Sequence, residues 1–344
     1  MRTWRSGYVA AALHSESRML TIFSTPKPFV GRIDVIQRNA IRSWQRLHPD
    51  VQIILVGDDK GTAEICAELG VEHIKDVKRN EHGTKYLKSV YYQAEERARH
   101  RTLCHVNCDI VLMSDFWSAV QRVAWSGDRF LMAGRRWDVD IDGPLDFERA
   151  DWEAELRDLA VHTNKQRPPQ WIDYFVFRRG LYSGKLPEFL IGRPGWDNWL
   201  LWYPQSVGVP VVDASKVVLA VHQNHDYGYH PDGEEGVWHG AEAQHNYVLL
   251  KTKGGYETLA GASHVMHERE LKRNYRGILA RRWTKLVASL YRIWFGMLDV
   301  TRPFRTVLGL RSRADRLTRL RFLVLAIATG LLLWWAWSIR RGQV

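Results

Sequence analysis

Thr102-Leu103-Cys104-His105-Val106-Asn107-Cys108-Asp109-Ile110-Val111-Leu112 is the stretch on which the reading of this chain turns. A largely apolar run ends at Val106, Asn107-Cys108-Asp109 interrupts it, and Ile110-Val111-Leu112 resumes it. The pattern predicts a buried strand that delivers two metal-competent side chains at its carboxyl end. In open α/β sheets ligands bind at that edge. Two residues apart in extended chain, Asn107 and Asp109 face the same way. Mg2+ is usually held by one or two carboxylates together with substrate phosphates and water, and this pair has that form. An Asx turn closing a strand needs the same residues and no ion, so the flanking chain has to decide.

Upstream, Met19-Leu20-Thr21-Ile22-Phe23 predicts a first strand, broken by the loop Ser24-Thr25-Pro26-Lys27-Pro28. A helix follows, with Ile33, Ile36, Ile41, Trp44 and Leu47 on one face and Pro49 as its stop. Residues 51–56 read as a second buried strand, ended by Gly57-Asp58-Asp59. Then come a short helix over 62–69, Gly70 as its C-terminal glycine, a third strand over 71–74, the polar loop 79–84 and a helix over 86–99. Strand and helix alternating at this pace argue a parallel sheet with right-handed crossovers.

Downstream, residues 115–125 read as a helix and 130–133 as a strand ending in Gly134-Arg135-Arg136-Trp137-Asp138. After Leu145 the rhythm changes. A helix runs through Trp152 and Leu156, a polar link spans 163–169, and 171–177 form an apolar strand with Asp173 its only charge. Gly192-Arg193-Pro194-Gly195 turns into an aromatic-rich helix opened by Trp196-Asp197-Asn198-Trp199. Residues 217–221 read as the last buried strand, with His222-Gln223-Asn224-His225-Asp226-Tyr227 breaking from its end.

The chain has 344 residues, enough for a full core, and its 45% hydrophobic content excludes a disordered chain. Its formal charge of +11 is unevenly placed. From Glu268 onward there are 17 Lys and Arg against 4 Asp and Glu, whereas the first 267 residues hold 32 against 34. A nucleic-acid binder carries its basic residues on the folded domain, among base-stacking aromatics. Here the basic tail leads instead into residues 322–339, an uncharged span about 27 Å long as a helix, close to one hydrocarbon core. Trp334, Trp335 and Trp337 cluster at its far end before Arg340 and Arg341, and Arg311, Arg313, Arg316, Arg319 and Arg321 stand on the near side. A membrane helix over 319–341 is therefore expected, with the positive-inside bias putting the large domain in the cytoplasm. Trp283, Leu286, Val287, Leu290, Tyr291, Trp294, Met297 and Leu298 form a stripe at helical spacing. It suits either a helix lying in the interface or one packing on the folded domain. The apolar run 8–13 is too short for a signal peptide. Cys66, Cys104 and Cys108 are odd in number and lack zinc spacing, which fits a reducing compartment.

Over residues 19–265 the chain resembles the GT-A glycosyltransferases, nucleotide-sugar transferases with a Rossmann-like nucleotide half and a mixed acceptor half. The resemblance implies a mostly parallel α/β sheet, preceded here by an extension over 1–18 and followed by a basic amphipathic region over 266–318 and the membrane helix. It implies a divalent cation, Mn2+ or Mg2+, bridging the donor diphosphate at an Asp-x-Asp motif after a central strand. Asn107-Cys108-Asp109 matches that motif in place but has an amide first, so Asp109 is the expected ligand and Asn107 a weak contributor or a ribose contact. A late histidine completes the metal shell in several members; His222 or His225 is the match. The same likeness puts an acid facing base or ribose at Asp58 or Asp59, and a general base at Asp197, which opens a helix beside the acceptor. Arg79 and Lys88 can meet the nucleotide, and Arg135, Arg136 and Trp137 can hold phosphate or stack on a sugar. As plain residues, these are also ordinary turn carboxylates, a helix-capping acid and solvated surface side chains.

The chemistry asks for these types. Charge develops on a departing diphosphate, and a metal and cationic groups stabilise it; an attacking hydroxyl needs a base within hydrogen-bond reach. The expectation is a membrane-attached, metal-dependent, inverting glycosyltransferase using a nucleoside-diphosphate sugar, with a lipid-linked or envelope glycan as acceptor and no nucleic-acid partner. A catalytically inactive, membrane-held nucleotide-sugar-binding or scaffold protein is the alternative from another class. A sugar nucleotidyltransferase ranks lower, because the loop at 24–28 lacks the glycines of a phosphate loop.

Overall fold

In the computed structural model, which describes residues 19–124, 129–226, 232–283 and 330, the chain divides into two compact units, Met1–Arg273 and Asn274–Val344. The first opens with β1 (Leu20–Ser24), α1 (Gly31–Gln45), β2 (Gln52–Val56), α2 (Thr62–Leu69) and β3 (Glu72–Ile74). It continues with α3 (Leu87–Arg97), β4 (Thr102–Val106), β5 (Ile110–Val111), α4 (Ser114–Ala124), β6 (Leu131–Val139), α5 (Trp152–Thr163) and β7 (Ile172–Arg178). Then follow α6 (Trp196–Ser206), β8 (Val211–Asp213), β9 (Ala220–Gln223), α7 (Gly233–His239), α8 (Ala241–Lys253), β10 (His264–Met266) and β11 (Leu271–Arg273).

The strands join in the order β11-β10-β8-β6-β7-β4-β1-β2-β3, with β9 pairing β5 and β6 off this path. β3, β2, β1 and β4 run parallel, each followed in sequence by a crossover or loop. Because β1 lies between β2 and β4, the chain switches direction across the sheet at β1, the position where open α/β sheets bind ligands. β7 enters antiparallel between β4 and β6, so the sheet is mixed rather than continuously parallel.

Side-chain alternation along the strands feeds two cores. Leu20, Ile22, Ile53 and Leu55 pack with Ile41 and Trp44 of α1 and Phe116 of α4 on one face. Phe23, Ile54 and Val56 pack with Val90 and Tyr91 of α3 and Trp199 of α6 on the other. Helices thus cover both faces, which is why β1, β2 and β4 read as unbroken apolar runs rather than alternating ones. Gly70 ends α2 at φ +65, the left-handed cap position anticipated for it.

Three boundaries depart from the sequence reading. β6 does not stop at 133 but runs to Val139, through a register shift between Ala133 and Arg135. His222 and Gln223 belong to β9 rather than following it, and β9 is not the last strand, since β10 and β11 extend the first unit to Arg273. The extension 1–18, Tyr227, the stripe from Leu286 to Leu298 and the apolar span, Gly330 excepted, lie outside the described residues. Among the described residues no helix is long and apolar enough to cross a membrane.

Candidate active site

The carboxyl ends of β1, β2 and β4 open into one cleft of about 890 Å3, lined there by Lys27, Asp59 and Asp109 and on the facing side by Arg193, Asp197 and Tyr247. That is the size of a small-molecule or cofactor site.

Asp109 follows β4 in the tight turn that starts β5, and two pairings bring histidine to it. β9 runs antiparallel to β5 with His222 opposite Ile110, and parallel to β6 with His222 opposite Asp138. His222 is therefore held between two carboxylates: its Nε2 lies 3.9 Å from Asp109 Oδ2 and its Nδ1 3.3 Å from Asp138 Oδ1. His225, two residues past the strand, puts Nε2 at 3.3 Å from the same Asp109 oxygen and Nδ1 at 2.6 Å from the Asp226 carbonyl. A carbonyl only accepts, so His225 donates from Nδ1 to Asp226. Both Nε2 atoms face Asp109.

Three electron-pair donors from Asp109, His222 and His225 lie within 4.8 Å of one another. Asp109 Oδ1 is buried with no hydrogen-bond partner, a costly state for a carboxylate unless a cation satisfies it. Burial opposes its charge, but His225, His222 and Lys27 outweigh burial and hold the carboxyl well below the usual range. These residues fit a divalent cation. Lys27, from the loop after β1, reaches the same point, with Nζ 3.1 Å from His225 Nε2 and 3.9 Å from Asp109 Oδ2.

Behind the histidines runs a buried charged chain. Arg136 donates from Nε to Asp138 Oδ1 at 2.9 Å and from Nη1 to Asp173 Oδ2 at 3.0 Å, with its guanidinium over Trp171. Arg167 donates to Asp138 Oδ2 at 2.5 Å. Burial works against the Asp138 charge, yet His222 and the two arginines bring its pKa down to about 2. Asn107 donates its side-chain amide to Asp173 Oδ1 at 2.6 Å. Its side chain is thus turned to this chain of charges, not to Asp109, and the two residues of the motif have separate tasks.

After β2, Asp59 pairs with buried Lys85 and lies 3.3 Å from Arg79, all three lining the cleft. Asp58 takes Arg79 Nη2 at 2.5 Å from an exposed position outside the lining. Lys88 is exposed on α3 and is not brought to the cleft. Because β6 continues to Val139, its side chains alternate: Arg136 faces the cleft, whereas Arg135 binds Gln166 and Trp137 packs with Val111 and Val221. Arg135 and Trp137 are therefore not at the site.

Asp197 lies in the first turn of α6, but the cap position belongs to Gly195 and no side chain caps the helix. Burial, with Asp173 adding repulsion and nearby backbone N–H groups partly offsetting it, pushes the Asp197 carboxyl up to about 7. A carboxyl that shares its proton at neutral pH is matched to general acid–base work. Gly195 sits at φ +97, and a Cβ there would meet Leu250 Cδ1 at 2.5 Å, so glycine is what lets the turn lie against α8. Arg193 in the same turn donates to Glu242 of α8 at 2.9 Å, and Glu242 takes Asn80 at 2.6 Å. Lys27, Lys85, Asp138, Arg193 and Glu242 were not among the sequence-derived site residues. Asp173 carried the one available signal, a lone charge in an apolar strand.

No protein-family model matches the chain, and no curated protein matches it. Solved structures do. The chain is similar to S. aureus TarS 1-349 at 10% identity and TM-score 0.41, with 60% of each chain covered, so it spans 60% of that length. It is similar to Mycobacterium tuberculosis glucosyl-3-phosphoglycerate synthase, in the structure with Mg2+ and uridine diphosphate, at 13% identity and TM-score 0.43, covering 73% of this chain and 85% of that one. The structure of the same synthase with Mn2+, uridine diphosphate and phosphoglyceric acid gives 13% identity and TM-score 0.41, covering 71% and 82%.

Proposed function

We propose that this chain is a metal-dependent glycosyltransferase that moves a sugar from a nucleoside-diphosphate sugar to an acceptor hydroxyl, with inversion. One observation carries the reading: three inward-facing donors on Asp109, His222 and His225 share a cleft with a carboxyl poised near pH 7 on Asp197. Asp109, His222 and His225 would hold the cation, Mn2+ or Mg2+, which when bound would supply Lewis-acid stabilisation to the departing diphosphate. Arg79, Lys85 and Asp59 form the wall for the nucleotide. Asp197 takes the proton of the acceptor hydroxyl as its oxygen bonds to the anomeric carbon. The sugar–phosphate bond breaks in the same displacement, and its electron pair leaves on the diphosphate. The tail, with arginines on both sides of its apolar span, anchors the enzyme to a membrane with this domain in the cytoplasm. A lipid-linked or envelope glycan is then the acceptor class within reach.

Calorimetric titration of the full chain with UDP and with GDP, with and without Mn2+, tests the reading. One nucleotide should bind only with the metal, and Asp109→Ala should abolish that binding. Absence of nucleotide binding under every condition would return the chain to the scaffold alternative. Nucleoside diphosphate released from a panel of donors then identifies the sugar.

A further inference from the structure

The second unit opens with a helix over 275–283 whose burial is inverted. Asn274 caps it, its Oδ1 accepting the Gly277 N–H at 3.0 Å. A surface helix normally buries its large apolar residues and shows its polar ones. Here Gly277 and Ala280 are buried, whereas Tyr275, Leu279 and Trp283 are 65%, 64% and 41% exposed. Spaced four apart, those three form a stripe about 80° wide, and Arg276 and Arg282, both exposed, stand about 20° beyond its two edges. The small-residue side is the packing face, so the stripe is left for something else. An anionic bilayer surface suits it: aromatic rings settle at headgroup depth, leucine reaches the acyl boundary, and arginines extend to phosphate. A protein partner would have to offer an acidic rim around an apolar groove. The helix itself carries three arginines and no acid, and the chain from Glu268 onward holds 17 Lys and Arg against 4 Asp and Glu, a balance that matches an extended anionic surface.

We infer that residues 275–283 form a docking surface for anionic lipid, lying in the plane of the membrane with Tyr275, Leu279 and Trp283 at the headgroup boundary and Arg276 and Arg282 against lipid phosphates. This surface goes beyond the apolar anchor proposed above and needs neither that span nor the metal site. A helix held in this way binds reversibly and in step with lipid charge, so membrane composition controls whether the segment is seated.

Leu279→Cys carrying an environment-sensitive fluorophore tests this in the full chain, whose native Cys66, Cys104 and Cys108 are buried and so escape labelling. On vesicles of phosphatidylcholine mixed equally with phosphatidylglycerol, emission should shift to the blue and be quenched by brominated acyl chains. The response should survive replacement of residues 331–333 with aspartates, which disables the span. In that background R276Q combined with R282Q should weaken partition about thirty-fold, the loss expected for two basic residues beside an anionic surface, and, both side chains being exposed, should melt with the parent chain. Flotation of the full chain with these vesicles but no shift or quenching at position 279 overturns the docking surface and leaves the span standing. No flotation of any form overturns both. A shift that grows with protein concentration in the absence of vesicles assigns the stripe to a second copy of this chain and overturns the lipid assignment.

Discussion

Asp138 stands outside the cleft, yet its carboxylate lies 3.3 Å behind the His222 ring while Arg136 and Arg167 neutralise it. Removing such a support from a metal-binding histidine costs about 10–100-fold in affinity. Asp138→Asn should weaken Mn2+ binding on that scale while Asp109→Ala removes it, as read by titration. Asn107 leads to a counter-intuitive expectation. Although a carboxylate there would restore an acidic pair, Asn107→Asp would set two carboxylates at the 2.6 Å spacing now bridged by the amide. That variant should lose stability in thermal melts without gaining metal affinity. At Asp197 the sign follows from a carboxyl held near 7 against an ordinary 3.8. Its basic form accumulates as pH rises through about 7, so transfer should climb across that value, and Asp197→Asn should abolish transfer while sparing nucleotide binding. The same raised pKa means that Asp197 favours folding fully below pH about 3.8, and that this contribution is lost as pH rises to about 7. Above that window Asp197→Asn should melt higher than wild type, reversing the usual cost of a substitution.

At the level of elements, the turn before α6 carries the greatest constraint. Gly195→Ala combines a left-handed backbone with a contact against Leu250, and strained sites of this kind cost about 1–3 kcal/mol. It should lower the melting temperature and reduce transfer more than nucleotide binding, since Asp197 moves with the turn and the metal ligands do not. The β1, β2 and β4 runs were legible because both faces of each are covered, leaving continuous apolar residues closed by polar ones. Asp109 and the two histidines were legible for the same reason, each ending or following such a run. β6 was cut short because its outer half alternates charged and aromatic residues around Gly134, a pattern indistinguishable from a polar loop until its partners are known. That error put Arg135 and Trp137 beside Arg136 at the site, whereas a strand sends them to the opposite face. Short strands such as β8, β10 and β11, three residues each, carry too little periodicity to be read. Lys27 and Glu242 were invisible for another reason: what they touch is set by tertiary contacts far along the chain.

Across the whole molecule, charge is partitioned. The first 267 residues are nearly neutral by count and the remainder strongly basic, so under the proposed membrane attachment any attraction to an anionic surface would come from the tail. Replacing residues 331–333 with aspartates should move the full chain from the membrane fraction to the supernatant while leaving Mn2+-dependent nucleotide binding unchanged; retention in the membrane fraction would remove the anchor. The first unit's candidate ion-holding atoms lie far apart in its sequence. Asp109 leaves the ribosome more than a hundred residues ahead of His222 and His225, and only the seating of β9 between β5 and β6 unites them. A nascent or truncated polypeptide ending before β9 therefore presents a solitary carboxylate that cannot sequester metal. With an ion bound, the complete protein would be pinned across that long span, so chelation should expose the late segment to proteases before the early one.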